Sequence, residues 1–182
     1  MENGKFIVGC LNTVMNYKRN HYLFTHLIKN QITILMTVIS KSISIDAPIN
    51  TVFEYASNYK KWEEWFEGVS SFKPTTELQR GNGTRYAYKA KMMGLTVGLE
   101  TEIHDFVQNK GWTGKATKGM PHQTFWKFES INEGTKFTYA LEYDLNIPLI
   151  GKWIDNTFIK PQWDKIIERS LQNLRFNMEN LS

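Results

Sequence analysis

The sequence predicts an α+β domain in which one strand and two short helices precede six further strands and a long C-terminal helix. Between residues 70 and 143, segments of alternating apolar and polar residues are separated by turn signals, a pattern typical of an antiparallel meander. After residue 150, apolar residues recur at helical spacing instead. The length of 182 residues is ordinary for one domain, so we expect a single core.

The domain is expected to open with a half-buried strand over residues 38–45, because isoleucines occupy one parity and serines the other. Asp46 can then cap a helix that has Pro48 in its first turn, where a missing N–H is harmless. A second short helix follows, with Trp62 and Trp65 on its apolar face.

The next six strands form hairpins, of which Asn82-Gly83 is the strongest turn signal, since a type I′ turn needs positive φ at both central positions. One parity of each strand is apolar and the other is charged, which predicts a buried concave face and a solvated face. A register shift of one residue would turn every buried side chain outward, so the register is well specified. Glu100 and Glu102 share the charged parity with Lys89 and Lys91, which indicates surface ion pairs rather than a catalytic pair of carboxylates.

The C-terminal helix carries an apolar stripe that is the natural cover for the concave face. The stripe consists of Ile150, Trp153, Ile154, Phe158, Trp163, Ile166, Ile167, Leu171, Leu174 and Met178. Because Pro161 lacks an N–H inside this segment, we expect a kink or short break near Ile159.

Charge and cysteine content argue against several classes of protein. Most of the net charge of +4 comes from residues 1–38, and the remainder lacks the basic patch of a nucleic-acid-binding protein. The one cysteine, Cys10, supports neither an internal disulfide nor a cysteine-rich metal site. No apolar run reaches the roughly 18 residues that a membrane span needs. We therefore expect a cytoplasmic monomer or weak dimer that has no metal or cofactor, binds no nucleic acid and does not insert stably into membranes.

Residues 1–35 differ in composition from the rest, because they are rich in Asn, Ile and Lys and lack Trp and Pro. The apolar segment before Cys10 is similar to the lipid-attachment box of bacterial lipoproteins, but it is shorter than the hydrophobic region of a signal peptide. We favour a poorly structured N-terminal extension or a start-site artefact, followed by a ligand-binding domain over residues 36–182.

The order of the elements and several motifs resemble the START-like, helix-grip proteins of the SRPBCC superfamily. The motifs that carry the resemblance are Ile45-Asp46-Ala47-Pro48, Val52-Phe53, Trp62, Trp65, Gly83-Thr84-Arg85 and residues 134–139. Within the superfamily, the sequence is most similar to the polyketide cyclase/dehydratase and coenzyme Q-binding branches. The resemblance implies a seven-stranded antiparallel sheet that grips the C-terminal helix and leaves a hydrophobic tunnel between them. It leaves the function open, because this fold hosts carriers, cyclases, hydrolases and co-chaperones.

Few residues of the predicted domain can carry acid–base chemistry. The sequence contains no GxSxG elbow, HExxH motif, P-loop or GxGxxG motif. His104 falls on the charged parity and is expected at the surface, whereas His122 shares the parity of Trp126 and can face the mouth of a cavity. No Asp or Glu lies clearly on the apolar parity, and Asp144, at a strand end, is the nearest acidic residue.

Aromatic side chains that face the predicted tunnel are the stronger candidates for a ligand site. Four of them are tyrosines, and a buried hydroxyl without a partner costs about 1–3 kcal/mol. A dry core avoids this cost by using Phe, whereas a tunnel of roughly 300–1,000 Å³ can supply water or a polar ligand group. Trp126 is expected to point at the C-terminal helix near Trp153. The candidate ligand-binding residues are Tyr86, Tyr88, Trp112, His122, Trp126, Tyr139, Tyr143, Trp153 and Phe158.

Two functions are compatible with such a tunnel, and simple core packing of the aromatic residues is the alternative to both. The first is binding of a hydrophobic small molecule that is lipid-like, a quinone or polyketide-like. The second is a polyketide cyclase or aromatase type of enzyme, which needs a positioned acid or base. We favour binding, because the apolar parity offers tyrosines and His122 but no carboxylate. A protein-partner role is third and would require a large exposed apolar patch.

We predict that a chain starting at Met36 unfolds at the same temperature as the full chain, because residues 1–35 contain no predicted element of the domain. Circular dichroism recorded during heating gives the midpoint temperature of unfolding for each of the two chains. A midpoint lower by more than about 4 °C in the shortened chain, equivalent to ~1–2 kcal/mol, would show that these residues stabilise the domain.

Overall fold

The structure is a computed structural model that describes residues 36–92, 94–132, 134–145 and 151–180. The described residues belong to one unit, Met36–Ser182. The predictions for residues 1–35 and for Ile150 lie outside the described residues.

Strands and helices follow one another in the predicted order. The elements are β1 (Thr37–Ile45), α1 (Ile49–Ala56), a 3-10 helical turn (Tyr59–Lys61), α2 (Trp62–Trp65), β2 (Val69–Pro74), β3 (Arg85–Met92), β4 (Leu95–Val107), β5 (Gly111–Lys118), β6 (His122–Ile131), β7 (Gly134–Tyr143), α3 (Gly151–Ile154), a π-helical segment (Asp155–Ile159) and α4 (Lys160–Asn180). Pro48 occupies the N-cap position of α1 and no side chain caps this helix, so the predicted cap by Asp46 is wrong.

The seven strands form one antiparallel sheet in the order β1-β7-β6-β5-β4-β3-β2. β1 and β2 lie at opposite edges of the sheet, and the chain passes between them through α1 and α2. Helix α4 buries Trp163, Ile167, Leu171, Leu174 and Met178. The predicted α+β helix-grip fold, with a seven-stranded antiparallel sheet and a long C-terminal helix, is confirmed.

Bulges in the sheet help to make its apolar face concave. The pairing of β2 with β3 shifts between Ser70 and Lys73, where Ser71 has a φ of 62°. The pairing of β4 with β5 shifts around Asp105, which has a φ of 54°. Since an extra residue in one strand bends it and increases its twist, both positions curl the sheet.

The turn between β4 and β5 depends on Gly111, which has a φ of 134°. A Cβ atom at this position would lie 1.7 Å from the carbonyl oxygen of Trp126, so no side chain fits without displacing β6. This close approach sets Trp112 directly opposite Trp126 in the pairing of β5 with β6. The turn therefore fixes two aromatic side chains at the centre of the concave face.

The C-terminal helical region contains the predicted break in the form of the π-helical segment before Pro161. The apolar stripe predicted ahead of that break is wrong for two residues: Trp153 is 65% exposed and Phe158 is 48% exposed. The π-helical segment buries Asp155 and Ile159 instead. Because a π-helix bonds residue i to residue i+5, residues five apart share a face. The rings of Trp153 and Phe158 accordingly contact each other, with centroids 5.9 Å apart, on the solvent side.

Asp155 ties the π-helical segment to the sheet. Its carboxyl group is buried and accepts hydrogen bonds from the hydroxyls of Thr37 and Tyr143, the latter at 2.5 Å. These residues are the first of β1 and the last of β7, which are paired with each other. Burial and the adjacent Asp155 both raise the pKa of the Tyr143 hydroxyl, which therefore stays protonated and donates.

We predict that Tyr143→Phe lowers the free energy of unfolding by about 1.5–3 kcal/mol, because the buried Asp155 carboxyl loses one of its two donors. The control is Tyr139→Phe, which removes a buried hydroxyl that has no hydrogen-bond partner in the described part of the chain. That variant is expected to be as stable as the parent or more stable. Urea unfolding measures all three proteins, and equal losses in both variants would contradict the role given to Asp155.

Candidate ligand-binding site

A largely apolar cavity lies between the concave face of the sheet, helix α2 and the start of helix α4. Its volume is about 70 Å³, enough for several water molecules and well below the predicted 300–1,000 Å³. The concave face is thus mostly packed core with a small space left inside it. Six of the predicted ligand-binding residues line this space: Tyr86, Tyr88, Trp112, His122, Trp126 and Tyr139.

The other three predicted residues are not among the described residues that line the cavity. Tyr143 is fully buried on the correct parity, but its hydroxyl is engaged with Asp155 rather than with the cavity. Trp153, in α3, and Phe158, in the π-helical segment, both face solvent. The prediction that these two face the interior is therefore corrected: they are surface residues.

Several lining residues were not predicted, although the sequence contains a signal for most of them. They share either the concave parity of a strand or the buried face of a helix. They are Trp62, Phe66, Val69, Phe72, Leu99, Thr101, Ile103, Met120, Thr124, Leu141 and Trp163. Choosing aromatic residues alone omitted the threonines, which carry two of the polar groups in the cavity wall.

Trp126 is the centre of an aromatic cluster under the cavity. Its ring stacks on Trp112, with centroids 4.5 Å apart and planes inclined by 21°, and contacts the rings of Trp65 and Tyr139 at 5.6 and 5.3 Å. The prediction that Trp126 points at Trp153 is wrong, because helix α2 contributes the facing rings. Trp126 is therefore a buried core residue that also forms part of the cavity wall.

His122 is held in one tautomer by the backbone. Its Nδ1 lies 2.8 Å from the carbonyl oxygen of Met120, which can only accept, so Nδ1 carries the proton and donates. Burial lowers the pKa of His122, against a smaller opposite effect of the Met120 hydrogen bond. The imidazole is therefore neutral at pH 7, and its Nε2 is an acceptor.

Two hydroxyls converge on this Nε2. The Tyr88 hydroxyl and Thr101 Oγ1 each lie 2.9 Å from Nε2 and 3.1 Å from each other. Burial raises the pKa of Tyr88 to about 12, and the hydrogen bond from Thr101 offsets part of this rise. We therefore assign a hydrogen-bonded chain in which the Thr101 hydroxyl donates to the Tyr88 hydroxyl, and the Tyr88 hydroxyl donates to His122 Nε2.

The other two tyrosines that line the cavity, Tyr86 and Tyr139, differ in the hydrogen bonding of their hydroxyls. The Tyr86 hydroxyl donates to the backbone carbonyl of Gln79. The Tyr139 hydroxyl has no hydrogen-bond partner among the described residues, although the residue is only 5% exposed. The threonine on the neighbouring strand, Thr124, is 7% exposed and its hydroxyl likewise has no partner within the described ranges. The cavity wall therefore carries two hydroxyls without a protein partner among the described residues, beside the hydrogen-bonded group of Tyr88, Thr101 and His122.

Acidic residues lie away from the cavity. Glu100 is buried on the opposite face, where Thr75, Thr117 and Lys118 bind its carboxylate, and Glu102 pairs with Arg85 at 2.5 Å. The predicted ion pairs with Lys89 and Lys91 are therefore replaced by other partners. Asp155 is a buried acid that the sequence analysis missed, but it lies in the π-helical segment. No Asp, Glu, Lys or Arg is among the described residues that line the cavity.

A match to a family model identifies the class of protein. Residues 36–179 match the family described as polyketide cyclase / dehydrase and lipid transport. This match covers most of the chain, so the chain belongs to that family. The predicted membership is confirmed. No curated protein sequence matches the chain significantly.

Solved structures with the same fold are distant in sequence. The protein TTHA0849 from Thermus thermophilus is 21% identical with a TM-score of 0.69, and the match covers 80% of this chain and 99% of the other. A START superfamily protein from Mycobacterium smegmatis is 13% identical with a TM-score of 0.63, over 80% and 99% of the two chains. The di-domain ARO/CYC protein StfQ of the steffimycin biosynthetic pathway is 12% identical with a TM-score of 0.65, over 84% of this chain and 53% of its own. At these identities the comparisons establish the fold.

We predict that the stability of the protein falls as the pH drops below about 6.5, partly because of His122. The ordinary pKa of histidine is 6.5 and the folded value is lower, so the unfolded chain binds the proton first. This contribution is fully present above pH 6.5 and is lost as the pH falls toward the folded pKa. Urea unfolding measures the free energy of unfolding at pH 7.5 and at pH 5.5. Between these two pH values the parent is expected to lose ~1 kcal/mol more of this free energy than His122→Gln. Parallel pH profiles of the two proteins would contradict a neutral, buried His122.

Proposed function

We propose that the protein binds a hydrophobic small molecule, lipid-like or ring-bearing, in the cavity between the sheet and helices α2 and α4. The observation that carries this proposal is an apolar, aromatic cavity into which a few polar groups converge, the usual character of a small-molecule site. The lipid transport named in the family description supports the same function.

The cavity must enlarge to accept a ligand of more than one ring, because its volume is about 70 Å³. Val69, Phe72 and Met120 are half-buried, so the wall is thinnest where they lie. Met120 has a flexible, unbranched side chain that can repack around different shapes. We propose that the ligand enters past these side chains and displaces them from the wall.

Apolar burial supplies most of the affinity in this proposal. A two-ring ligand that buries about 250 Å² of apolar surface gains ~6 kcal/mol at ~25 cal/mol per Å², before the costs of immobilisation. No charged side chain is among the described lining residues, so electrostatic attraction contributes little. Polar groups in the wall then orient the ligand.

An enzyme of the cyclase type is the second candidate, and the chain from Thr101 through Tyr88 to His122 is the observation that favours it. A neutral imidazole beside a protonated tyrosine is a pair that can exchange a proton with a ligand. StfQ, a protein described as ARO/CYC, has the same fold. We rank this candidate second, because all three side chains already bond to each other and no carboxylate is present among the described lining residues.

Other properties expected from the sequence remain proposals. We propose that the protein is a cytoplasmic monomer or weak dimer, that it binds no nucleic acid, and that it needs no metal or cofactor. Within the described ranges, none of the helices combines the length and the hydropathy that a membrane span requires. The assignment of residues 1–35 as an extension or start-site artefact also remains a prediction.

We predict that N-phenyl-1-naphthylamine, a neutral fluorescent probe, binds the parent protein and that Leu141→Phe, which fills the cavity, weakens this binding at least fivefold. Trp153→Ala is the control, because this exposed side chain lies outside the cavity and its loss should leave the affinity unchanged. Trp126→Ala is expected to lose ~3–5 kcal/mol of stability, since it removes a buried ring that packs against Trp112 and Trp65.

Fluorescence titration gives the affinities, and urea unfolding shows that each variant is folded. The binding function is wrong if the folded parent does not bind the probe and Trp126→Ala loses the expected stability. This result would mean that the concave face is a closed core. A loss of affinity in Trp153→Ala instead of Leu141→Phe would move the site to the exposed aromatic pair. Native mass spectrometry of freshly purified protein then identifies a ligand that co-purifies.

A further inference from the structure

Two large aromatic side chains face solvent side by side where the C-terminal helical region begins. Trp153 is 65% exposed, Phe158 is 48% exposed, and their ring centroids lie 5.9 Å apart. Single exposed apolar residues are ordinary on a protein surface, but two rings in contact form one continuous apolar surface. Such a surface is a candidate for contact with a partner.

The inner face of the same segment is fixed to the domain. Asp155 and Ile159 are buried, and the Asp155 carboxyl group accepts hydrogen bonds from Thr37 in β1 and Tyr143 in β7. The backbone that carries the two exposed rings is thus held against the sheet. Contact through the rings therefore requires no ordering of this backbone.

Exposed lysines flank the two rings in the sequence. Lys152 precedes Trp153, and Lys160 follows Phe158 by two residues. Both lysines are exposed, and neither has an ion-pair partner among the described residues. The acidic residue between them, Asp155, is buried, so the exposed charge of the segment is positive. We call Lys152, Trp153, Phe158 and Lys160 the docking patch.

Area and charge argue against a second copy of the chain as the partner of the docking patch. Two rings exposed to these extents offer about 250 Å² of apolar surface, whereas a stable protein interface needs about 800 Å² per partner. A symmetric contact would also place lysines of like charge close together.

An anionic lipid surface complements both the rings and the lysines. Tryptophan favours the boundary between headgroups and hydrocarbon, and phenylalanine adds apolar area at the same depth. Lysine side chains close to an anionic bilayer are attracted to its surface charge. Stable anchoring generally takes two such signals, and the docking patch contains one of each kind.

The docking patch lies near a half-buried part of the cavity wall. His122, the first residue of β6, pairs with Tyr143, whose hydroxyl bonds to Asp155 in the segment that carries the rings. Met120 lines the cavity and is two residues before His122. A bilayer at the docking patch would therefore lie at the end of the cavity where a ligand is proposed to enter.

We propose that the docking patch binds reversibly to the surface of anionic phospholipid bilayers, with Trp153 and Phe158 at the headgroup boundary and Lys152 and Lys160 beside the phosphates. The contact is peripheral, because two rings reach no deeper than the interface. It does not depend on the proposed binding function, since vesicle binding is measured without a cavity ligand.

The test measures how much of the full-length protein sediments with vesicles. The vesicles contain phosphatidylcholine alone or phosphatidylcholine with about one-third phosphatidylglycerol, so that surface charge is the variable. The ring variant combines Trp153→Ser with Phe158→Ser, and the lysine variant combines Lys152→Gln with Lys160→Gln. Circular dichroism shows whether each variant is folded.

Each variant has a matched control elsewhere on the surface. Phe176→Ser removes an aromatic side chain of α4 that is 66% exposed. Lys110→Gln removes an exposed lysine from the turn between β4 and β5. Residues 1–35 carry four basic residues and one acidic residue, but this charge is the same in every variant and cancels in the comparison.

We expect the parent to bind the anionic vesicles at least tenfold more tightly than the neutral ones. The ring variant and the lysine variant are each expected to bind the anionic vesicles about tenfold more weakly than the parent. Both controls should stay within about twofold of the parent, because their side chains lie outside the docking patch.

Tryptophan fluorescence locates the contact independently. Trp153 is the exposed tryptophan, and the five others are 8% exposed or less: Trp62, Trp65, Trp112, Trp126 and Trp163. Brominated phosphatidylcholine quenches indole rings that reach the bilayer. Vesicles that contain it are expected to quench the parent but not Trp153→Phe, which keeps an apolar ring for binding.

Equal vesicle binding by the ring variant and the parent, or quenching that persists in Trp153→Phe, would contradict the proposal. Analytical ultracentrifugation without vesicles tests the other occupant: a dimer that the ring variant loses would assign the docking patch to a second copy and overturn the proposal. Should the ring variant not fold, the lysine variant and the quenching of Trp153→Phe decide the matter. Binding of N-phenyl-1-naphthylamine is measured without vesicles, so the docking patch and the proposed function can fail separately.

Discussion

The register of β6 between β5 and β7 is the constraint on which the interior depends. Gly111 brings its backbone against the carbonyl oxygen of Trp126, and this contact leaves no room for a Cβ atom. With the register set, Trp126 lies opposite Trp112 on one side and Tyr139 on the other. A shift of one residue would place these rings in solvent and bring lysines and glutamates to the core. The cavity, its aromatic wall and its polar groups all follow from this pairing.

The hydrogen-bond partners of the buried tyrosines follow from this packing. A buried hydroxyl is expensive unless it has a partner, so the hydrogen-bond partners show which tyrosines hold the fold together. Tyr143 is structural, because it joins the end of the sheet to the π-helical segment through Asp155. Tyr139 belongs to the same strand and the same face, but it lies opposite Trp126, further along β7 and beyond the reach of Asp155. The difference between the two tyrosines therefore arises from their position along the strand.

The sequence was sufficient to predict the strands, the parity of their side chains and six of the residues that line the cavity, because alternation reports directly which face of a strand is buried. It failed where a local irregularity changed the periodicity. Trp153 and Phe158 fit a regular helical stripe, but both face solvent where the helix changes to the π-helical segment. Asp155 faces the core instead. The size of the cavity was also overestimated, because parity says which side chains face inward and nothing about how tightly they pack. The partners of individual hydroxyls depend on distances of a few tenths of an ångström, which no sequence pattern encodes.

Close packing and open space lie side by side in the interior. Rings from α2, β5, β6 and β7 pack around Trp126 at centroid distances of 4.5–6.3 Å, whereas about 70 Å³ beside them stays open. Replacing Tyr139 by Phe and Thr124 by Val would remove two donors that have no partner among the described residues, at little steric cost, yet the sequence keeps both hydroxyls. In the proposed binding function these hydroxyls orient a ligand whose affinity comes mainly from the apolar wall, so packing supplies the site and the polar groups supply its direction.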